Sequence, residues 1–175
     1  LGLALKYQGR YNEAYDRFYK SCWNAAWQDA GYFACAQIST MQSRLEDALD
    51  EIDRSLIRNW HNHKARALKT AILRRMGRTE EALQLIEDSL SIDKFNFGCR
   101  YEKYLITNVV DELSVMKEMM RGEPHNYDEI ALDYCAAGCW QEAASLWNIA
   151  IAEGIVTPMT YYYLGWCLHQ GGLSG

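Results

Sequence analysis

The strongest constraint on the fold of this chain is a repeat of 34 residues. At this spacing an alanine recurs as Ala14, Ala48 and Ala82. A bulky apolar residue follows each alanine four positions later, as Phe18, Ile52 and Ile86. A fixed period of this length is typical of stacked units that cannot each bury an apolar face alone. The repeat therefore predicts an elongated array and favours a binding scaffold over an enzyme.

Each unit is predicted to be a pair of antiparallel helices, because the small alanines allow close helix approach and the bulky residues fill the next gap. Glycine or Ser43 stands in the turn after each first helix, where we expect a left-handed conformation. Asn12 and Thr79 lie at predicted helix starts, where their side chains can cap free amides. Pro124 and Pro158 fall at predicted helix boundaries. No stretch alternates long enough to predict a sheet.

The unit resembles the tetratricopeptide repeat, a helical hairpin with a period of 34 residues. The second-helix part of the family pattern, an alanine and a bulky residue four positions on, recurs at Ala143 and Trp147. The first-helix part survives in Tyr161, Leu164 and Gly165. In the third repeat Arg66 and Lys69 stand where the family has an aromatic residue and a leucine. The resemblance implies an all-α solenoid of helix hairpins wound into a right-handed superhelix.

The repeat register divides this single domain, residues 1–175, into units. We expect a half-repeat 1–28, repeats 29–62 and 63–96, a shortened repeat 97–123, a repeat 124–157 and a half-repeat 158–175. The fourth unit is shortened because Ala143 lies 61 residues after Ala82, about seven fewer than two full periods. Both ends fall within a repeat, so we expect a fragment of a longer array.

Composition and cysteine usage narrow the range of functions. No apolar run is long enough to span a membrane, and no phosphate loop, metalloprotease helix or catalytic triad pattern occurs. We therefore expect no cofactor and no catalysis. The cysteines are expected to be reduced core residues, which favours a cytoplasmic location. Cys135 and Cys139, four residues apart, leave open a metal or redox pair, and His61 with His63 leaves open a further metal ligand pair.

The charge is strongly segregated along the chain. Seven basic and no acidic residues lie between Arg58 and Arg78, whereas six acidic residues and no lysine or arginine follow Gly122. In the resembled family the first helices line a concave groove that binds extended peptides or partner helices. This resemblance implies eleven groove residues here, namely Lys64, Ala67, Ala71, Arg74, Arg75, Phe33, Gln37, Met41, Tyr101, Leu105 and Asn108.

The groove residues predict the kind of partner. Ala67 and Ala71 leave room for a ligand backbone, and Lys64, Arg74 and Arg75 surround that room, so we expect an acidic or C-terminal carboxylate peptide. The apolar and aromatic part of the groove would suit an amphipathic segment. The alternative is that the basic stretch pairs with the chain's own acidic end. A net charge of -5 disfavours nucleic acid.

Three functions remain open at this point. The first is a protein interaction scaffold that binds a peptide or partner segment in the concave groove. The second is an intramolecular scaffold at the carboxyl terminus of a larger enzyme, packing on its catalytic domain. The stretch from Trp60 to Leu83 looks like arrays appended to bacterial proteins with a sugar-enzyme-like domain. The third is self-association through the ends of the array.

Overall fold

The computed structural model describes residues 1–173. It contains eleven α-helices in this part of the chain: α1 Gly2–Tyr7, α2 Tyr11–Ser21, α3 Gln28–Met41, α4 Leu45–Arg58, α5 His63–Arg75, α6 Thr79–Ile92, α7 Phe97–Thr107, α8 Val110–Met120, α9 Pro124–Ala136, α10 Trp140–Ala152 and α11 Pro158–Gln170. A short 3-10 helix, Ala25–Trp27, precedes α3. No strand occurs within residues 1–173. The prediction of an all-α fold is confirmed, and the last two residues of the predicted half-repeat 158–175 lie outside the described residues.

Consecutive helices pack in pairs, and each pair packs on the next. The pairs are α1 with α2, α3 with α4, α5 with α6, α7 with α8, and α9 with α10, followed by α11. Neighbouring pairs meet through contacts such as those between α5 and α7. This arrangement is the stacked array that the 34-residue period predicts.

The turns between paired helices adopt the expected left-handed conformation. Gly9, Ser43 and Gly77 have φ angles of 74°, 58° and 74°. Each turn is closed by a backbone hydrogen bond of 2.9 Å from the following arginine to the carbonyl five residues before it, as in Arg44 to Ser39. These bonds satisfy carbonyl groups that the end of a helix leaves free.

The predicted capping by Asn12 and Thr79 is wrong. Helices α2 and α6 begin directly after Arg10 and Arg78, so Asn12 and Thr79 already lie inside the first turn and make no cap hydrogen bond. Each of the repeated arginines instead pairs with an acidic side chain three residues on. The pairs are Arg10–Glu13 at 2.6 Å, Arg44–Asp47 at 2.7 Å and Arg78–Glu81 at 2.6 Å. Ion pairs as exposed to solvent as these contribute little to stability.

The helices of the fourth pair are shorter than those of the pairs on either side of it. Helices α7 and α8 have 11 residues each. Both end in a left-handed residue, Asn108 and Arg121 respectively, each with a φ of 55°. Pro124 then supplies the first turn of α9, where the missing amide hydrogen costs nothing.

One apolar cluster extends from α3 to α11 and joins helices of non-neighbouring pairs. It includes Ile52, Tyr101, Tyr127, Trp147 and Cys167, each with essentially no exposed surface. Direct contacts between α3 and α9 show that the fifth pair reaches back to the second. All six cysteines are free and buried, so their predicted place in the core is confirmed.

Candidate interaction groove

The α9–α10 pair lies against the concave side of the array, where its turn meets the end of α3. Gly138 in this turn has a φ of +72°. A Cβ atom at this position would lie 2.7 Å from Cγ and 2.8 Å from Cα of Met41. Only glycine therefore allows this approach, and Met41 is covered by the α9–α10 turn.

Arg74 on α5 joins three helix pairs through hydrogen bonds. Its Nε donates to Glu102 of α7 at 2.7 Å, and its Nη2 donates to Glu142 of α10 at 2.7 Å. The hydroxyl of Tyr134 on α9 donates to the other Glu102 oxygen at 2.7 Å. Burial raises the pKa of Glu102, and the Arg74 and Tyr134 hydrogen bonds oppose that rise. Arg74 is thus engaged by carboxylates of its own chain.

Arg75 is also turned towards the α9–α10 pair. Its Nη1 donates to the Thr40 carbonyl oxygen at 3.3 Å and lies 3.6 Å from Sγ of Cys139. Met41, Arg74 and Arg75 therefore each contact the α9–α10 pair, at Gly138, Glu142 and Cys139 respectively. The sequence left open the alternative that the basic stretch pairs with the chain's own acidic end. The ion pair between Arg74 and Glu142 is such a contact.

The three predicted groove residues of α7 are separated from one another. Tyr101 has no exposed surface, and its hydroxyl donates to the Glu142 carbonyl oxygen at 3.4 Å. Leu105 is half-buried and packs against the main apolar cluster. Asn108 is exposed at the end of α7. The structure does not bring these three side chains together.

The other five predicted residues line one open cavity of about 500 Å³ between α3, α5, the start of α7, and α9. These residues are Phe33, Gln37, Lys64, Ala67 and Ala71. We call this cavity the end pocket. Its apolar lining is completed by Leu68, Phe95, Phe97, Gly98 and Ile130. A cavity of this size with a mainly apolar lining is typical of ligand sites.

The rim of the end pocket carries the charged side chains. Nζ of Lys64 lies 2.9 Å from Oδ1 of Asp133 and 3.1 Å from Oε1 of Glu129. Burial opposes the charge on Lys64, but its hydrogen bonds to Asp133 and Glu129 outweigh this effect and raise its pKa. Asp93, which also lines the pocket, lies 3.7 Å from Nε2 of His63.

Two asparagines fix the loops that form the mouth of the end pocket. The side chain of Asn62 accepts a hydrogen bond from the Ala65 amide at 3.0 Å and caps α5. Asn96 accepts from the Cys99 amide at 3.1 Å, caps α7 and donates to the His63 carbonyl oxygen. The starts of α5 and α7 are therefore held together beside the pocket.

Sequence reasoning missed the residues that α9 contributes to the pocket, which are Glu129, Ile130, Asp133 and Tyr134. The repeat register assigns groove residues to neighbouring first helices, whereas α9 comes from the fifth pair and faces the second and third. A usable signal was present, because Glu129 and Asp133 are one turn apart and share one face of a helix. Two carboxylates on one helix face would be expected to pair with the basic stretch that begins at Arg58.

Comparison with solved structures identifies the fold class. The chain is similar to the crystal structure of MamA, with a TM-score of 0.63 and 12% identity over 88% of this chain and 94% of MamA. It is similar to a tetratricopeptide repeat protein from Parabacteroides merdae, with a TM-score of 0.60 and 18% identity over 97% of this chain and 69% of that protein. A thermophilic tetratricopeptide repeat protein of Thermus thermophilus matches with a TM-score of 0.58 and 15% identity, over 96% and 95% of the two chains.

These similarities define the chain as an α-solenoid with the tetratricopeptide repeat fold. Neither a protein-family model nor a curated protein matches the sequence. Across residues 1–173, each helix is too short or too polar to cross a membrane.

Proposed function

We propose that this protein is an interaction scaffold that binds an amphipathic segment of a partner protein in the end pocket. The observation that carries the proposal is the open cavity of about 500 Å³, bounded by apolar side chains from α3, α5 and α9. Recognition of amphipathic segments by apolar grooves is a recurring mode of peptide binding.

The lining of the end pocket has the features that a bound segment requires. Ala67 carries only a methyl group, so a ligand backbone can approach α5. Gly98 packs directly on this methyl group, because an added Cβ there would lie 2.7 Å from Cβ of Ala67. Phe33, Leu68 and Ile130 supply apolar walls for one or two bulky side chains. Burying such side chains stabilises a complex by roughly 25 cal/mol per Å² of apolar surface, before the costs of association.

The centre of the groove is less suited to a ligand than the end pocket. An acidic peptide at Arg74 would have to replace Glu102, whose side chain is fully buried, or Glu142. Breaking a buried ion pair costs several kcal/mol, because one charge is left without a partner. We therefore place the bound segment at Phe33, Gln37, Lys64, Ala67 and Ala71 rather than at the arginines.

The proposal is tested by filling the pocket. Peptides of about 12 residues, the length of a short helix, are selected from a random displayed library on the wild-type protein, and their affinities are measured by fluorescence polarisation. The variant Ala67→Leu places extra carbon atoms in the pocket, whereas Ala152→Leu makes the same change at an exposed position of α10. Circular dichroism establishes that both variants are equally helical.

We expect Ala67→Leu to weaken the selected peptides at least about tenfold, which corresponds to about 1.4 kcal/mol, and Ala152→Leu to leave them unchanged. Peptides that bind both variants as they bind the wild type would overturn the proposal. That outcome would favour the alternative in which the array packs on another domain of a larger protein.

A further inference from the structure

The end pocket carries more negative than positive charge. Three carboxylates line it, from Asp93, Glu129 and Asp133, against one ammonium, from Lys64. The net charge of the lining is therefore about -2 when His61 and His63 are neutral. This sign is opposite to the one that the basic stretch of the sequence predicts for the groove.

We infer that the segment bound in the end pocket is basic, with lysine or arginine side chains flanking its apolar anchor. The inference rests on the proposed function, because it specifies the partner of that same pocket. The sequence predicts an acidic ligand because α5 carries several cations. In the structure the carboxylates of Glu129 and Asp133 on α9 lie beside Lys64 of α5, so the sign of the charge is reversed.

One lysine cannot neutralise both carboxylates of α9. Nζ of Lys64 is shared between Asp133 at 2.9 Å and Glu129 at 3.1 Å. The Asp133 and Glu129 side chains keep 39% and 64% of their surface exposed, so each retains oxygen atoms that a ligand can reach. A ligand cation here would be attracted by the carboxylate that Lys64 leaves uncompensated.

The carboxylates of the pocket come from two separate elements, α9 and the loop between α6 and α7. Glu129 and Asp133 are one turn apart on α9, on either side of Ile130 in the sequence. Asp93 precedes Phe95 in the loop between α6 and α7, and both residues line the pocket. A segment with a central apolar side chain and a cation on each side would match this order of charge and apolar surface.

An acidic segment meets the opposite conditions. It would bring its carboxylates to Asp93, Glu129 and Asp133, and Lys64, the lysine that lines the pocket, is already paired twice. Like charges placed together at an interface cost several kcal/mol. The pocket therefore discriminates against acidic segments as well as favouring basic ones.

Three synthetic peptides of about 12 residues test the sign of the charge. They share leucine anchors at positions i, i+3, i+4 and i+7 and carry lysine, glutamine or glutamate at all flanking positions. We expect the lysine peptide to bind at least about tenfold more tightly than the glutamate peptide at low salt. Because the rim is exposed, this difference should shrink at about 1 M salt, where the Debye length falls to about 3 Å.

Variants of the rim locate the effect. The double variant Glu129→Gln, Asp133→Asn should weaken the lysine peptide about three- to tenfold, and Lys64→Met should strengthen it by a similar factor. Lys117→Met and Glu153→Gln remove an ion pair outside the end pocket and serve as matched controls. Equal affinity for the lysine and glutamate peptides, or no effect of the double variant, would overturn the inference.

The Ala67→Leu variant separates this inference from the proposed function. If it weakens all three peptides equally and their affinities are the same, the pocket binds segments but has no preference for cations. If it leaves all three affinities unchanged, the pocket is not the binding site and the proposed function fails with the inference.

Discussion

The guanidinium of Arg74 contacts the carboxylate of Glu102 at 2.7 Å, and the Glu102 side chain has no exposed surface. Arg74 is on α5, Glu102 is on α7, and the second contact of Arg74 is with Glu142 on α10. This cluster joins the third, fourth and fifth helix pairs. It holds α10 against α5 and α7.

Removing the Arg74 charge should destabilise the fold strongly. Arg74→Met keeps most of the side-chain volume but leaves Glu102 buried without its cation, so we expect a loss of about 3–5 kcal/mol in the free energy of unfolding. Urea denaturation followed by circular dichroism measures this loss. The double variant Arg74→Met, Glu102→Gln should recover part of it, because the fully buried charge of Glu102 is then removed and only Glu142 has lost its partner. A single variant as stable as the wild type would contradict the assigned role of this pair.

Because Arg74 stabilises the fold, it is unsuitable as a probe of ligand binding. Replacing Arg74 with glutamate would place a third carboxylate beside Glu102 and Glu142, so a loss of binding would report unfolding rather than recognition. Lys64 is a better probe, since its side chain keeps 46% of its surface exposed on the pocket rim.

The fold could be predicted from the sequence because its information is local and repeated. The period of 34 residues fixes the helix pairs, and the turn residues Gly9, Ser43 and Gly77 fix where each first helix ends. The helices of the fourth pair, α7 and α8, have 11 residues each. Each of these features acts within one repeat or between neighbours.

The candidate site could be predicted only in part, because it depends on contacts between distant repeats. The register placed Phe33, Lys64 and Ala67 on the concave side, and these residues line the pocket. It gave no indication that α9 would lie near them, since Lys64 and Asp133 are 69 positions apart in the sequence and the irregular repeat lies between them. The side chains that cover the groove come from beyond that irregularity.

Arg66 shows how a departure from the family pattern is accommodated. It stands where the resembled family has an aromatic residue, and it is almost fully buried. Its guanidinium lies 4.1 Å from the centroid of the Trp60 ring, and its Nε donates to Ser89 at 2.9 Å. Trp60 follows α4, so the aromatic contact comes from a neighbouring segment. The sequence pattern within one helix could not indicate this replacement.

Gly138 should be more sensitive to substitution than a glycine with the same backbone conformation. Gly77 has a φ of +74° with nothing within 4 Å of an added Cβ, whereas a Cβ at Gly138 would lie 2.7 Å from Met41. Both alanine variants incur the left-handed penalty of about 1–2 kcal/mol. Gly138→Ala should lose about 1–3 kcal/mol more, because α3 and the α9–α10 turn must separate. Equal losses in paired urea denaturations would show that this approach is not tight.

Ser43 occupies a turn position that glycine would fill with less strain. Its φ of 58° costs a residue with a Cβ about 1–2 kcal/mol, and the greater freedom of glycine in the unfolded chain offsets part of the gain. Ser43→Gly should therefore stabilise the protein by about 0.5–1 kcal/mol in thermal denaturation. Ser91→Gly, inside α6, is the matched control and should destabilise it by a similar amount. A loss of stability in Ser43→Gly would mean that its side chain has an unrecognised role.

Lys6 should cause the free energy of unfolding to change with pH in the alkaline range. Its Nζ donates to Oε1 of Gln37 at 2.7 Å, and it forms no salt bridge with the described residues. Burial lowers the pKa of Lys6 from 10.5 to about 8.

Between about pH 8 and pH 10.5 the unfolded chain therefore binds a proton that the folded protein has released, so the stability contributed by Lys6 rises with pH. Lys6→Met keeps the apolar stem and should stabilise the protein at pH 7 by about 1–3 kcal/mol. This advantage over the wild type should fall as the pH rises from 8 to 10.5. Urea denaturation across this pH range measures the difference, with exposed Lys20→Met as the control. A constant difference between Lys6→Met and the wild type would show that Lys6 remains protonated in the fold.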